Sequence, residues 1–109
     1  MRSHRGRKKP ERLAEKLLAI RFKLDVSQSQ LASLLGLDKS AARISEYERG
    51  IREPDLMTLL KYSKLVRVAI EVLVDDTIEL EFPASWKRPR RITDFLRQQR
   101  RVTIQNRNK

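Results

Sequence analysis

Residues 26–65 of the 109-residue chain read VSQSQLASLLGLDKSAARISEYERGIREPDLMTLLKYSKL, and they begin with a helix start signal. Ser27 and Gln30 have the spacing of a capping box, in which each side chain accepts a hydrogen bond from the other residue's backbone N–H. Leu31, Leu34 and Leu35 supply an apolar face for about two helical turns. Gly36 follows where a left-handed backbone is wanted, so a short helix is predicted between the two signals.

A second short helix is predicted directly after this one. Leu37–Ser40 is a polar turn, and Ser40 is a suitable cap for a helix over Ala41–Glu48. Ile44 and Tyr47 are its inward positions, and Gly50 ends it. Two short helices joined by a tight, glycine-containing turn inside a helical bundle are the arrangement that a helix-turn-helix requires.

The flanking sequence completes the predicted fold. Pro10 opens a helix over residues 11–24, Pro54 opens a fourth helix, and a short fifth helix is predicted at residues 69–74. Apolar and acidic residues alternate over 77–82, which predicts a half-buried strand. The fold class is therefore all-α: a compact bundle of about five helices with a helix-turn-helix, followed by one short strand. Expected core positions are Leu13, Leu17, Leu18, Ile20, Phe22, Leu24, Leu31, Leu34, Leu35, Ile44, Tyr47, Leu56, Leu59, Leu60, Leu65, Ile70, Leu73 and Val74.

The charge distribution divides the chain. Lys and Arg total 25 against 14 Asp and Glu, a net charge of +11. Residues 1–12 carry six bases and one acid, residues 83–109 carry nine bases and one acid, and the middle has a slight excess of acids. We therefore predict a flexible basic arm at 1–10, a helix-turn-helix domain at 11–76, a strand-like extension at 77–86, and a disordered basic tail at 87–109. The arginine-rich flanks favour phosphate recognition, because guanidinium binds phosphate oxygens in a bidentate fork.

Several function classes are excluded by composition. The chain has no cysteine, which excludes disulfides, thiol catalysis and thiolate metal sites. Its single histidine, His4, lies in the basic arm, and no glycine loop of the phosphate-cradling type is present. We therefore expect no enzyme activity, no cofactor and no metal. No apolar run approaches the roughly 20 residues that a membrane span needs.

The stretch quoted above resembles the phage-repressor/Cro (XRE) family of DNA-binding domains, whose fold is lambda-repressor-like. The resemblance covers residues 13–76. It depends on the order and spacing of Ser27-Gln28, Leu31-Ala32, Leu35-Gly36, Ile44-Ser45, Tyr47-Glu48-Arg49-Gly50 and Glu53-Pro54. Two departures are visible: the stretch between Gly36 and Ile44 is longer than the usual turn, and Arg67 stands where many members have a helix-ending glycine.

The resemblance assigns base reading to the start of the third helix. The matching residues here are Ser40, Ala41, Ala42, Arg43, Ser45 and Glu46. Arg43 has three readings: a bidentate contact to guanine, a phosphate contact, or a solvated surface charge. Ala41 or Ala42 fits a thymine methyl group, and Glu46 can accept a hydrogen bond from cytosine.

The resemblance also implies phosphate contacts and one ion pair. Gln28, Arg49 and Arg52 match positions that contact the DNA backbone, with a capping-region or surface role as the plainer alternative. Arg21 and Glu48 match a pair that joins the first helix to the end of the third. Trp86, outside the resemblance, is expected to cover the apolar face of the strand or to stack in a partner interface.

The implied function is a sequence-specific double-stranded DNA-binding transcriptional regulator. Repression by blocking a promoter is the simplest mechanism, because the sequence shows no second domain for an effector. A homodimer on a pseudo-palindromic operator is expected, formed by residues 69–82 through the fifth helix or through strand pairing. The expected location is the cytoplasm, at the nucleoid.

Two alternatives use the basic tail differently. In the first, residues 87–109 bind a toxin-like protein partner, and the helix-turn-helix regulates the shared operon, as in an antitoxin; a co-purifying partner would reveal this. In the second, the flanks bind RNA or DNA without sequence preference, which predicts a steep dependence on salt alone.

Overall fold

The computed structural model describes residues 9–38 and 40–107, with side chains as far as residue 100. Most of the predicted basic arm (residues 1–8) and the last two residues of the predicted tail lie outside the described residues. Within the described part the chain is all-helical, as predicted. Its six helices are α1 (Leu13–Leu24), α2 (Gln28–Leu34), α3 (Ala41–Glu48), α4 (Leu56–Val66), α5 (Ile70–Val74) and α6 (Arg90–Arg107).

The apolar face of α1 lies at the centre of the fold. Its buried residues recur at the 3.6-residue period and pack against α3, α4 and α5. All six helices contribute to one core, whose largest fully buried side chains are Leu17, Ile20, Leu24, Leu31, Leu35, Ile44, Tyr62, Leu65, Val66, Leu73 and Ile92. The helix-turn-helix is therefore held on a single apolar support.

The ends of α2 and α3 follow the sequence prediction. Gly36 and Gly50 both have a φ of +74°, the left-handed region that glycine adopts without strain. After α2, the N–H of Gly36 donates to the Ser33 carbonyl at 3.1 Å, and the N–H of Leu37 donates to the Ala32 carbonyl at 2.8 Å. This is a Schellman motif, and α3 ends with the same pattern.

Three predicted core residues are wrong. Phe22 is 65% exposed because it lies two residues after Ile20, which places it about 200° around α1 from the buried face. Leu56 is 69% exposed at the start of α4, and Val74 is 38% exposed at the end of α5. Helical spacing shows which side of a helix is apolar. It does not show whether another element covers that side at the end of the helix.

The start of α4 is also corrected. Pro54 precedes the helix, and Asp55 caps it: the Asp55 carboxylate accepts a hydrogen bond from the Thr58 N–H at 2.8 Å. Aspartate is a favoured cap because its short side chain reaches the unpaired N–H groups of the first turn.

The predicted strand over residues 77–82 is wrong. This segment is an extended loop that packs along α1, with Leu80 and Phe82 against the core. The Arg12 guanidinium binds the Glu79 carboxylate at 2.7 Å and keeps the pKa of that carboxyl below its usual value. The Lys16 ammonium donates to the Ile78 carbonyl at 2.8 Å. Leu80 and Phe82 face the core and Glu79 and Glu81 are exposed, so the alternation over 79–82 reflects one inward and one outward side; Ile78 is exposed.

The predicted disordered tail is wrong over residues 90–107, where the chain forms α6. Ile92 is fully buried and Leu96 packs against the core, so the first turns of α6 are part of the domain. Trp86, in the loop before α6, donates from Nε1 to the Val66 carbonyl at 2.9 Å. Its ring meets Phe82 edge-on, with 5.1 Å between centroids, so it covers the apolar side of the 77–82 loop.

Candidate nucleic-acid interface

The orientation of α3 is determined by its buried side. Ile44 is fully buried and Tyr47 is 4% exposed. Leu31 and Ala32 of α2 are fully buried beside them, and α2 and α3 are the most closely packed pair of helices. The opposite side of α3 therefore faces outward along its length.

The predicted base-reading residues lie around the start of α3. Ala42 and Arg43 are exposed, whereas Ser40, Ala41, Ser45 and Glu46 are half-buried. Ser40 is the cap residue of α3, as predicted, although its side chain makes no capping hydrogen bond. The structure thus presents Ala42 and Arg43 most openly, and the reading of bases by these residues stays a prediction.

Two arginines at the end of α3 contact the base-reading candidates. Arg52 Nε donates to Glu46 Oε1 at 2.9 Å, and Arg49 Nε donates to Ser45 Oγ at 3.2 Å. These contacts are exposed, so they are weak and easily exchanged. The arginines predicted to bind phosphate are therefore close to side chains predicted to read bases. The i, i+4 spacing accounts for the contact of Arg49 with Ser45, whereas that of Arg52 with Glu46 depends on the loop after α3.

The Arg21–Glu48 ion pair is present and is largely buried. Arg21 Nε and Nη2 donate to the two oxygens of Glu48 at 2.6 and 3.0 Å, and Glu48 is 4% exposed. Gln28 Nε2 also donates to Glu48 Oε1, at 3.0 Å. The pair therefore joins α1 and α3 and also orients Gln28, the predicted phosphate ligand at the start of α2.

The positive charge of Arg43 contributes to the lowered pKa of Asp55, the cap residue of α4. The Thr58 N–H is the main group that lowers the pKa of Asp55, and the charges of Lys61 and Arg43 lower it further. The effect of Arg43 is the smallest of these, and Asp55 is exposed to water.

Sequence reasoning missed the proximity of α6 to α2. Gln30 Nε2, in the first turn of α2, donates to Gln99 Oε1 of α6 at 3.1 Å. The available signal was the helical spacing of Ile92 and Leu96, within the segment that was predicted to be disordered.

The comparisons with known proteins agree with this geometry. The family model described as Helix-turn-helix matches residues 15–73, more than half of the chain. The chain belongs to the phage-repressor (XRE-type) helix-turn-helix family of DNA-binding regulators. It is also similar to a solved structure of the P22 c2 repressor in complex with synthetic operator 9T in the presence of Tl+. The two share 31% identity and a TM-score of 0.53 over 59% of this chain and 94% of that one. No curated protein matches.

This helix-turn-helix protein keeps the family fold at the two places where its sequence departs from the family pattern. The long turn between α2 and α3 includes Asp38, which has a left-handed φ of +53°. Arg67 ends α4 with a φ of +58°, so arginine takes the conformation for which many members use glycine. The segment that follows, including α6, lies beyond the residues that the family model matches.

The fold and family are those of DNA-binding regulators and not of enzymes. Among the described residues, no group of three or more His, Asp or Glu side chains is placed to hold a metal ion. Over the same residues, no helix combines the length and the apolar character needed to cross a membrane.

Proposed function

We propose that the protein is a sequence-specific repressor that binds double-stranded DNA through α3. The observation that carries this proposal is the two-sided character of α3: Ile44 and Tyr47 are buried, while Ala42 and Arg43 are exposed. A helix anchored on one side can enter a major groove with the other side against base edges. Similarity to a repressor in complex with an operator supports the assignment.

In this mechanism base readers and phosphate ligands act from adjacent elements. Arg43 donates to guanine, and Gln28, Arg49 and Arg52 bind backbone phosphates on either side of the groove. Arg52 leaves Glu46 for a phosphate, which frees the Glu46 carboxylate to accept from cytosine. Breaking the Arg52–Glu46 pair costs little free energy, because the Arg52 side chain is 56% exposed and the Glu46 side chain is 34% exposed.

Selection of bound sequences from a random duplex DNA pool tests the proposal. The full chain should enrich one motif with two related halves about one helical turn, or about 34 Å, apart. Enrichment without a motif would instead favour the general nucleic-acid binder. Absence of any retained duplex would contradict DNA binding itself.

The proposal predicts different consequences for Arg43→Ala and Arg52→Ala. Arg43→Ala should lower affinity for the selected site by about 1–3 kcal/mol and relax preference at one base pair in each half-site. Arg52→Ala should weaken all duplexes by similar factors, because a phosphate contact carries no base information. Repeating the selection with each variant, and titrating selected and scrambled duplexes, measures both effects.

Lys64→Ala is the matched control, since it also removes one positive charge, from an exposed position of α4 to which the proposal gives no DNA contact. A uniform loss of affinity in Arg43→Ala with an unaltered motif would assign Arg43 to the backbone. The reading side of α3 would then lie elsewhere.

The proposed homodimer uses the apolar surface between the start of α4 and the end of α5. Leu56 and Val74 line one groove, and both side chains are exposed. Exposed apolar side chains that share a groove favour an interaction surface. Strand pairing at 77–82 is not part of this proposal, because that loop is bound to α1.

Leu56→Ser should prevent dimer formation while leaving the fold intact, because Leu56 is 69% exposed. The expected result is one chain per selected duplex instead of two, measured by sedimentation of the complex. Phe22→Ser is the matched control, since Phe22 is 65% exposed on α1. Two chains per duplex in the Leu56 variant would exclude this surface.

The antitoxin-like alternative depended on a disordered tail that folds on a partner. Because residues 90–107 already form α6, with Ile92 in the core, no observation favours that mechanism over operator binding.

A further inference from the structure

Helix α6 lies beside α2 and runs from the end of α2 to its first turn. Residues 89–91 share a groove with residues 33–36, at the end of α2. Further along α6, Gln99 accepts a hydrogen bond from Gln30 in the first turn of α2. The two helices therefore run antiparallel, and α6 continues past this contact to Arg107, about 12 Å at 1.5 Å per residue.

The described contacts hold α6 in this position. Ile92 is fully buried, and Arg88 in the preceding loop donates from Nη1 to the Leu24 carbonyl at the end of α1 (3.0 Å). Arg88 Nε also donates to Thr93 Oγ1, at 3.1 Å. The helix is thus attached near its start, and its later turns extend beyond the start of α2.

Two exposed arginines lie where α6 passes α2. Arg97 and Arg100 line a groove together with Arg88, Asp25 and Gln30. Asp25 provides the single carboxylate in that lining. Arg97 is 4.0 Å from Asp94 with both side chains largely exposed, so this pair holds it weakly. Three arginines against one carboxylate make the groove positive, and it reaches the first turn of α2 at Gln30.

We propose that α6 is a second DNA-contacting element, in which Arg97 and Arg100 bind backbone phosphates flanking the one beside Gln28. This inference depends on the proposed function, since it places the duplex against α2 and α3. Arginine suits the role because its fork matches phosphate oxygens. The contacts carry no base information, so α6 adds affinity and lengthens the contacted DNA without changing the selected motif.

The test compares two double variants of the full chain that remove equal charge from the same helix. In Arg97→Gln/Arg100→Gln, the slope of log affinity against log salt should fall by about 1.8, since each phosphate contact contributes about 0.9. Affinity at 0.1 M salt should fall on the order of tenfold per contact. The matched control, Arg90→Gln/Arg91→Gln, lies at the far end of α6 and should change the slope much less. Circular dichroism confirms that both variants fold.

Ethylation interference on the selected duplex locates the contacts. Interference at the outermost phosphates should disappear in Arg97→Gln/Arg100→Gln and persist in the control. An unchanged slope with unchanged interference would overturn the inference about α6 while leaving the proposed function intact, as would equal losses in both variants. If the unsubstituted chain selects no motif, it is the proposed function that fails.

Discussion

Glu48→Ala is expected to lower the free energy of unfolding by about 3–5 kcal/mol, because it leaves the Arg21 guanidinium buried without its counter-charge. Arg21 is 14% exposed and Glu48 only 4%, so little water reaches the site to replace the lost carboxylate. The Gln28 amide loses its acceptor in the same substitution. Urea unfolding followed by the fluorescence of Trp86, the single tryptophan, measures the change.

Glu46→Ala is the matched control, on the same helix and also removing an ion-paired glutamate. Its pair with Arg52 is exposed, so the expected change is about 0–1 kcal/mol. The double variant Arg21→Met/Glu48→Met should regain much of the stability lost in Glu48→Ala, because no unpaired charge stays buried. Equal midpoints for Glu48→Ala and Glu46→Ala would show that burial does not strengthen the Arg21 pair.

Lys16→Met is expected to cost roughly 3 kcal/mol of stability, because hydrogen bonds to a charged donor are worth more than neutral ones. Lys16 is 2% exposed, and its ammonium donates to the carbonyls of Val72, Asp75 and Ile78 at 2.7, 3.0 and 2.8 Å. One side chain of α1 thereby holds the end of α5 and the following loop. Methionine fills similar space without a donor, so these carbonyls lose their shared partner.

The Lys16 variant should also show a local effect. Amide hydrogen exchange over residues 75–82 should accelerate more than in the rest of the domain, because the loop loses its link to α1. Lys64→Met, at an exposed position of α4, should leave both exchange and the urea midpoint nearly unchanged. Unaltered exchange over 75–82 in Lys16→Met would mean that Arg12 and the apolar contacts hold the loop alone.

The central part of the interface could be predicted from the sequence because its signals are local. The capping box joins Ser27 to Gln30, and the two glycines end α2 and α3 through bonds to carbonyls a few residues earlier. Such contacts depend on neighbouring residues, whichever surface the helix later packs against. The alternation of inward and outward positions on α3 follows equally from the helical period.

The surroundings of that interface could not be predicted in the same way. Residues 77–82 have the pattern of a strand. A period of two predicts which side chains face inward, but it does not predict whether the backbone pairs with a second strand. Here Arg12 and Lys16 bind the segment from more than 60 positions away. The pairing of Arg52 with Glu46, likewise, depends on how the loop after α3 turns back.

The sequence by itself determined the helical class, the ends of α2 and α3, and the inward positions of α3, Ile44 and Tyr47. Tertiary structure alone decided that the 77–82 loop lies against α1, that Leu56 is exposed, and that the basic tail forms a helix beside α2. The physical reason is the range of the interactions. Caps and helical periods act within about two turns, whereas α6 is stabilised by burying Ile92 and by contacts such as Gln30–Gln99, 69 positions apart.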